Sequence, residues 1–114
     1  MNNYSGIVQK GTKRAEALGF PTVNIPLDDK NVSGVYVAQV FFDGEKYPAA
    51  AFADEKRKIL EAHIVDIDLA LYGKSITIEL LKKIRDSRSF ENDEELRGAI
   101  AADSEAVREY FKNV

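Results

Sequence analysis

Gly34-Val35-Tyr36-Val37-Ala38-Gln39-Val40-Phe41-Phe42-Asp43-Gly44-Glu45-Lys46-Tyr47 sets two runs of strand-forming residues on either side of an Asp-Gly pair. Asp-Gly tolerates the positive φ angles of a tight hairpin turn, so the stretch predicts two antiparallel strands, 34–42 and 45–52. Pro48 lacks an amide hydrogen, which predicts an edge or a bulge at that point of the second strand. Working outward, residues 6–10, 59–67 and 75–84 carry similar strand signatures between turn residues. In the last of these, Ile76, Ile78, Leu80 and Ile84 share one face while Thr77, Glu79 and Lys83 share the other, a period of two with one buried side. Tyr72-Gly73-Lys74 reads as a second turn.

Beyond Glu94 the period changes. Leu96, Ala99, Ile100, Val107, Tyr110 and Phe111 recur at helical spacing and form one apolar stripe, with Asn92 as the cap and Glu95 three residues later as its capping-box partner. That stripe is expected to cover one opening or side of a β-barrel. At 114 residues the chain reads as one domain, residues 1–114. It has no cysteine, which removes disulfides and thiolate chemistry, and its net charge of −3 argues against a general nucleic-acid binder. No segment approaches the roughly 18 apolar residues that cross a bilayer, and Met1-Asn2-Asn3-Tyr4 does not open a signal peptide, so a cytoplasmic protein without membrane or nucleic-acid partners is expected.

The stretch richest in chemistry is Leu18-Gly19-Phe20-Pro21-Thr22-Val23-Asn24-Ile25. Pro21 biases the chain to leave its turn as an extended strand, which puts Thr22 and Asn24 on the same side. A hydroxyl and an amide oxygen are hard donors suited to Mg²⁺ beside a phosphate, although Pro-Thr and Asn also occur at turn-to-strand junctions for purely conformational reasons. Gly6 to Lys13 lacks the Gly-Lys-Ser/Thr order of a P-loop, yet Gly11 to Ala15 can expose backbone amides to phosphate oxygens or form an ordinary solvated loop. Glu61 stands among apolar strand residues on the side of His63. It needs a partner or a wet cavity, as a general base or as a structural hydrogen-bonding carboxylate. His63, the lone histidine, reads as structural. Arg85 follows a strand and either reaches over a barrel mouth to a phosphate or pairs with Asp86 or a nearby glutamate. The charged run Asp54 to Lys58 reads as a solvated loop.

Taken in order, Gly6-x-Val8-x-x-Gly11, Leu18-Gly19-Phe20-Pro21-Thr22-Val23-Asn24-Ile25, Gly34-Val35-Tyr36-Val37, Leu60-Glu61-Ala62-His63, Leu71-Tyr72-Gly73 and Lys83-Ile84-Arg85 resemble the riboflavin kinase (flavokinase) family, including the kinase half of bacterial bifunctional riboflavin kinase/FAD synthetases. The resemblance implies a mainly β fold, a closed six-stranded antiparallel Greek-key barrel with a C-terminal α-helix. It implies transfer of the ATP γ-phosphoryl group to the riboflavin 5′-hydroxyl, giving FMN and ADP, with Mg²⁺ or another divalent cation as cofactor. Separately from the resemblance, a monomer is expected. The resemblance also implies that Thr22 and Asn24 engage the metal and the nucleotide phosphate and that Glu61 is the catalytic base. Gly11, Thr12 and Lys13 would form the loop over the nucleotide, with Arg85 near the flavin and phosphate side. The Phe90 turn and the terminal helix would wall the flavin ring. Two positions depart from the family pattern. Ala15-Glu16 stands where the family commonly has Gly-Arg, and a short charged turn after Ala53 replaces a longer loop. The alternative is a catalytically degenerate flavin- or nucleotide-binding module of the same fold.

Overall fold

The computed structural model describes residues 2–11 and 14–113. Six strands, β1 (Asn3–Ile7), β2 (Val23–Pro26), β3 (Gly34–Phe42), β4 (Glu45–Asp54), β5 (Ile59–Ile64) and β6 (Ser75–Arg85), are joined by a single helical turn, α1 (Arg14–Ala17), and followed by a long helix, α2 (Asp93–Lys112). All pairings are antiparallel, in the order β1-β6-β3-β4-β5-β2. Within that order β6-β3-β4-β5 is a Greek key, three hairpin-connected strands with a fourth returning beside the first. The two outer strands approach each other through a bridge between Gln9 and Asn24, where the Gln9 amide donates to the Asn24 carbonyl at 2.8 Å. The sheet is thereby rolled into a nearly closed barrel, as expected.

The Asp43-Gly44 hairpin forms as read, with φ of 52° and 80° at the two turn residues, the pair of positive angles that matches strand twist. Pro48 does not mark an edge. β4 lies inside the sheet between β3 and β5, and the proline sits just past the last β4/β5 pair, Ala49 with Ile64, its carbonyl still accepting from Val65 at 2.9 Å. The first strand starts earlier than predicted, at Asn3, and stops at Ile7, while residues 8–10 run on to the bridge with β2. The predicted strand 59–67 stops at Ile64, because the chain turns at Asp66 with φ of 68°.

Inside the barrel, Ile25, Ala38, Val40, Ala49, Leu60, Ile78 and Leu80 are almost wholly removed from solvent. The helix stripe covers a side of the barrel, not an opening. Val107 inserts against the register pair Val37 and Ala50 on the outer surface of β3 and β4, joined by Leu81, Ile84, Tyr110 and Phe111. Ile84 therefore does not share the inner face of Ile76, Ile78 and Leu80. Opposite β3 the register passes from Leu80 to Lys82 and from Lys83 to Arg85. Each skipped residue is a bulge, which shifts the side-chain alternation and sends Leu81 and Ile84 to the helix. Asn92 caps α2 as predicted, its Oδ1 accepting the Glu95 amide at 2.9 Å.

Candidate active site

β2 and β5 pair with Val23 opposite Ala62, Asn24 opposite Glu61 and Ile25 opposite Leu60. The flanking pairs are in the barrel core, so alternation turns Asn24 and Glu61 together to the other face. Thr22 and His63 extend that row. The imidazole Nδ1 of His63 donates to the Pro21 carbonyl at 2.8 Å, and its ring meets Phe20 edge-on at 5.3 Å between centroids. The lone histidine thus ties the Phe20-Pro21 turn to β5 and sets where Thr22 begins, while lining the second cavity described below.

Two cavities meet along this row. The first, about 350 Å³, lies between the Gly11 loop and the start of β2 and is lined by Val8, Gly11, Glu16, Thr22, Asn24 and Tyr72, among others. The second, about 220 Å³, opens between β5, β6 and α2, with Glu61, Arg57, Phe90, Leu96 and Ile100 around it. Thr22 lines both. The geometry therefore groups Gly11, Thr22 and Asn24 in one space and Thr22, Glu61 and Arg85 in the next. Thr12 and Lys13 lie outside the described residues.

Asn24 is only 3% exposed, and its buried Oδ1 has no hydrogen-bond partner among the described residues. Such a group costs roughly 1–3 kcal/mol of desolvation unless something fills its lone pairs. Gly11 explains the closeness of the loop. A Cβ there would stand 2.5 Å from Asn24 Nδ2 and 2.8 Å from Oδ1, so only glycine lets the backbone lie over this side chain. Glu16 lines the same cavity, placing a carboxylate at its rim where the resemblance would put an arginine. Among the described residues no group of three or more His, Cys, Asp or Glu side chains could hold a metal ion.

Glu61 lies beside one cation and one anion of its own hairpin, Arg57 and Asp54. Burial pushes its carboxyl above the ordinary carboxylate range, the Arg57 guanidinium pulls it back down, and Asp54 adds a smaller push upward. The charged run 54–58 is not merely a solvated loop. Asp54 Oδ2 accepts from Arg57 Nε at 2.6 Å, and Arg57 Nη2 stands 3.9 Å from Glu61 Oε2. Sequence reading missed Arg57 because its only local signal was a run of charges.

Arg85 lines the second cavity, but its carboxylate partner is neither Asp86, which offers only its backbone carbonyl to Nη1 at 3.3 Å, nor a glutamate. Its Nε and Nη2 both donate at 2.9 Å to the two carboxylate oxygens of Asp103 on α2, while the Asp86 side chain pairs with Lys83 at 2.7 Å. Asp103 is 5% exposed, so this forked pair fastens the helix to the barrel along the cavity wall. Phe90, Leu96 and Ile100 give the same cavity an apolar side, as expected of the Phe90 turn and the helix.

A family model described as Flavokinase, riboflavin kinase, matches residues 2–111. A bifunctional riboflavin kinase/FMN adenylyltransferase of Escherichia coli (strain K12) is 38% identical over 116 residues, covering 94% of this chain and 37% of that protein. The chain spans between 18% and 38% of the length of the curated relatives it matches. Among solved structures, a riboflavin kinase from Trypanosoma brucei superposes with a TM-score of 0.66 at 25% identity, covering 96% of this chain and 79% of that one. A Streptococcus pneumoniae chain described as a macrolide-efflux protein superposes with a TM-score of 0.77 at 29% identity, covering 93% of this chain and 36% of that one.

Proposed function

This chain belongs to the riboflavin kinase family, and from that premise we propose that it transfers the γ-phosphoryl group of ATP to the 5′-hydroxyl of riboflavin, giving FMN and ADP. The observation that carries the reading is Thr22 as the common wall of two cavities, with the Asn24 Oδ1, unpaired among the described residues, on one side and Glu61 on the other. The nucleotide phosphates occupy the first cavity under the Gly11 loop, and the flavin ring lies in the second against Phe90, Leu96 and Ile100. The ribityl chain then brings its terminal hydroxyl to the boundary.

The donor set fits a hard divalent cation. A buried amide oxygen without a partner among the described residues and a threonine lining the same cavity suit Mg²⁺, which keeps waters and substrate phosphates in most of its positions. Thr22 and Asn24 would hold such an ion, which would supply positive charge against the transferring phosphates. The remaining work is positioning, which phosphoryl transfer chiefly requires. Glu61 orients the 5′-hydroxyl and accepts its proton as the oxygen bonds to the γ-phosphorus. The bond from that phosphorus to the bridging oxygen breaks, and ADP leaves with the electron pair. A carboxyl held above the ordinary range by burial is a stronger base than an exposed one.

Incubating the chain with riboflavin, ATP and Mg²⁺ and separating the products tests this directly. FMN and ADP are expected in equal amounts. Quenching of riboflavin fluorescence without any FMN would overturn the reading in favour of a binding module.

A further inference from the structure

α2 carries one carboxylate where its packing pattern calls for an apolar side chain. Leu96, Ile100 and Val107 follow one another at intervals of four and seven residues, and Asp103 falls between the last two at the same helical spacing. Leu96, Ile100 and Asp103 line the second cavity together, and Asp103 is buried. Burying a charge carries a desolvation cost, and apolar residues of similar size commonly hold two elements together as well or better than a buried ion pair. Anchoring the helix therefore does not by itself account for a carboxylate at this position.

The carboxylate holds a plane in place. Asp103 Oδ1 and Oδ2 accept from Arg85 Nε and Nη2 at 2.9 Å each, and Arg85 Nη1 donates to the Asp86 carbonyl at 3.3 Å. All three guanidinium nitrogens are thus engaged around the rim of the group, which leaves its faces for stacking. The guanidinium carbon stands 5.8 Å from the centroid of the Phe90 ring, within reach of a cation–π contact. Phe90 belongs to the segment 86–92, which links β6 to α2 without strand or helix of its own. Arg88 also lies over the ring, at 4.7 Å, but it is exposed and rides on the same segment. Of the two cations it is Arg85 that ties the ring to the barrel and, through Asp103, to the helix.

We propose that Asp103 is a positioning residue for Phe90: by locking the Arg85 guanidinium it fixes the aromatic wall against which the flavin ring packs. The inference deepens the kinase reading and rests on it for the identity of the ring. Asp103 and Phe90 line the second cavity and not the first, so loss of the lock should fall on flavin binding and spare both the nucleotide and the chemical step.

The test compares the unaltered chain with Asp103→Asn and Arg85→Lys, either of which breaks the fork, and with Val107→Ala, which loosens the same helix away from the cavity. Three readouts are taken: the Phe90 ring resonances of the ligand-free protein by NMR, the riboflavin dissociation constant by fluorescence quenching, and the kinetic constants. Breaking the fork should move the Phe90 resonances and weaken riboflavin binding roughly three- to tenfold, the worth of a well-placed aromatic contact. The KM for riboflavin should rise by the same factor, with kcat and the KM for nucleotide within about twofold of the parent. Val107→Ala should do none of this. In a Phe90→Leu background Asp103→Asn should weaken binding by less than about twofold further, since the two act through one contact. Should Asp103→Asn fail to fold, Arg85→Lys carries the same comparisons. Riboflavin binding weakened equally by Val107→Ala, Phe90 resonances that stay in place when the fork is broken, or a full additional loss in the Phe90→Leu background each overturns the proposal. If the unaltered chain neither binds riboflavin nor forms FMN, it is the kinase reading that fails, and the Phe90 resonances still decide whether Asp103 sets the ring.

Discussion

Replacing Asn24 by alanine tests whether its buried oxygen is kept for a ligand. In the free protein the orphaned Oδ1 costs about 1–3 kcal/mol, and Asn24→Ala removes that cost. The same change deletes three side-chain atoms under the Gly11 loop, a packing loss of about 2.4 kcal/mol at roughly 0.8 kcal/mol per buried methylene-sized group. The two nearly cancel, so the ligand-free variant should unfold within a few degrees of the parent. Binding behaves differently. At a Mg·ATP concentration a hundred times its dissociation constant the parent gains about 2.7 kcal/mol. For a domain of this size about 3–6 °C accompanies each kcal/mol, so its melting point should rise by roughly 8–15 °C. If losing the amide oxygen weakens binding a hundredfold, the variant gains only about 0.4 kcal/mol at that concentration, a shift of about 1–2 °C. Differential scanning fluorimetry with and without Mg·ATP reads all four states. A variant shifted as far as the parent would refute the assignment of Asn24 to the ligand. A ligand-free variant destabilised by more than about 3 kcal/mol would show that the oxygen had been paired after all.

Glu61→Gln should lower kcat by roughly 10²–10⁴-fold, the usual worth of a general base, with riboflavin fluorescence quenching preserved. The sign of its stability effect follows from burial: the folded carboxyl holds its proton to higher pH than the unfolded one, so the parent loses stability as pH rises through the folded value. Glutamine does not titrate, and the melting point of the variant relative to the parent should therefore climb with pH; a falling difference would contradict the burial argument. Gly11→Ala forces a Cβ onto Asn24 and should cost about 1–3 kcal/mol while raising the KM for nucleotide about tenfold. Gly98→Ala, with open space around it on the exposed face of α2, should stabilise by about 0.5–1 kcal/mol and leave kinetics untouched, making it the control in the same assays. Asp103→Ala strands the partly buried Arg85 fork, at about 2–3 kcal/mol, somewhat below a fully buried pair. Amide exchange should accelerate along α2 before the barrel strands, and uniform protection would show that the ion pair does not hold the helix.

Much of this protein is written locally. The Asp43-Gly44 hairpin, the Asn92 cap, the shift from a two-residue to a helical period, and the placing of Thr22 and Asn24 on one side all follow from residues a few positions apart. Each rests on a dihedral preference or a short hydrogen bond that needs no distant partner. Register and closure belong to the tertiary structure. The bulges at Leu81 and Ile84, which send those side chains to the helix, arise where β6 must fit both β3 and α2. Arg85 found the Asp103 carboxylate, eighteen residues away, in place of the neighbouring Asp86 carboxylate, because docking of α2 buried the former beside it. Arg57 gained its relation to Glu61 only when the β4/β5 turn closed on Asp54, and Asn24 lost its solvent only when Gly11 crossed over it. Charge and polarity are visible in a chain, but whether a charge meets a partner depends on which surfaces folding brings together, and that is a long-range outcome.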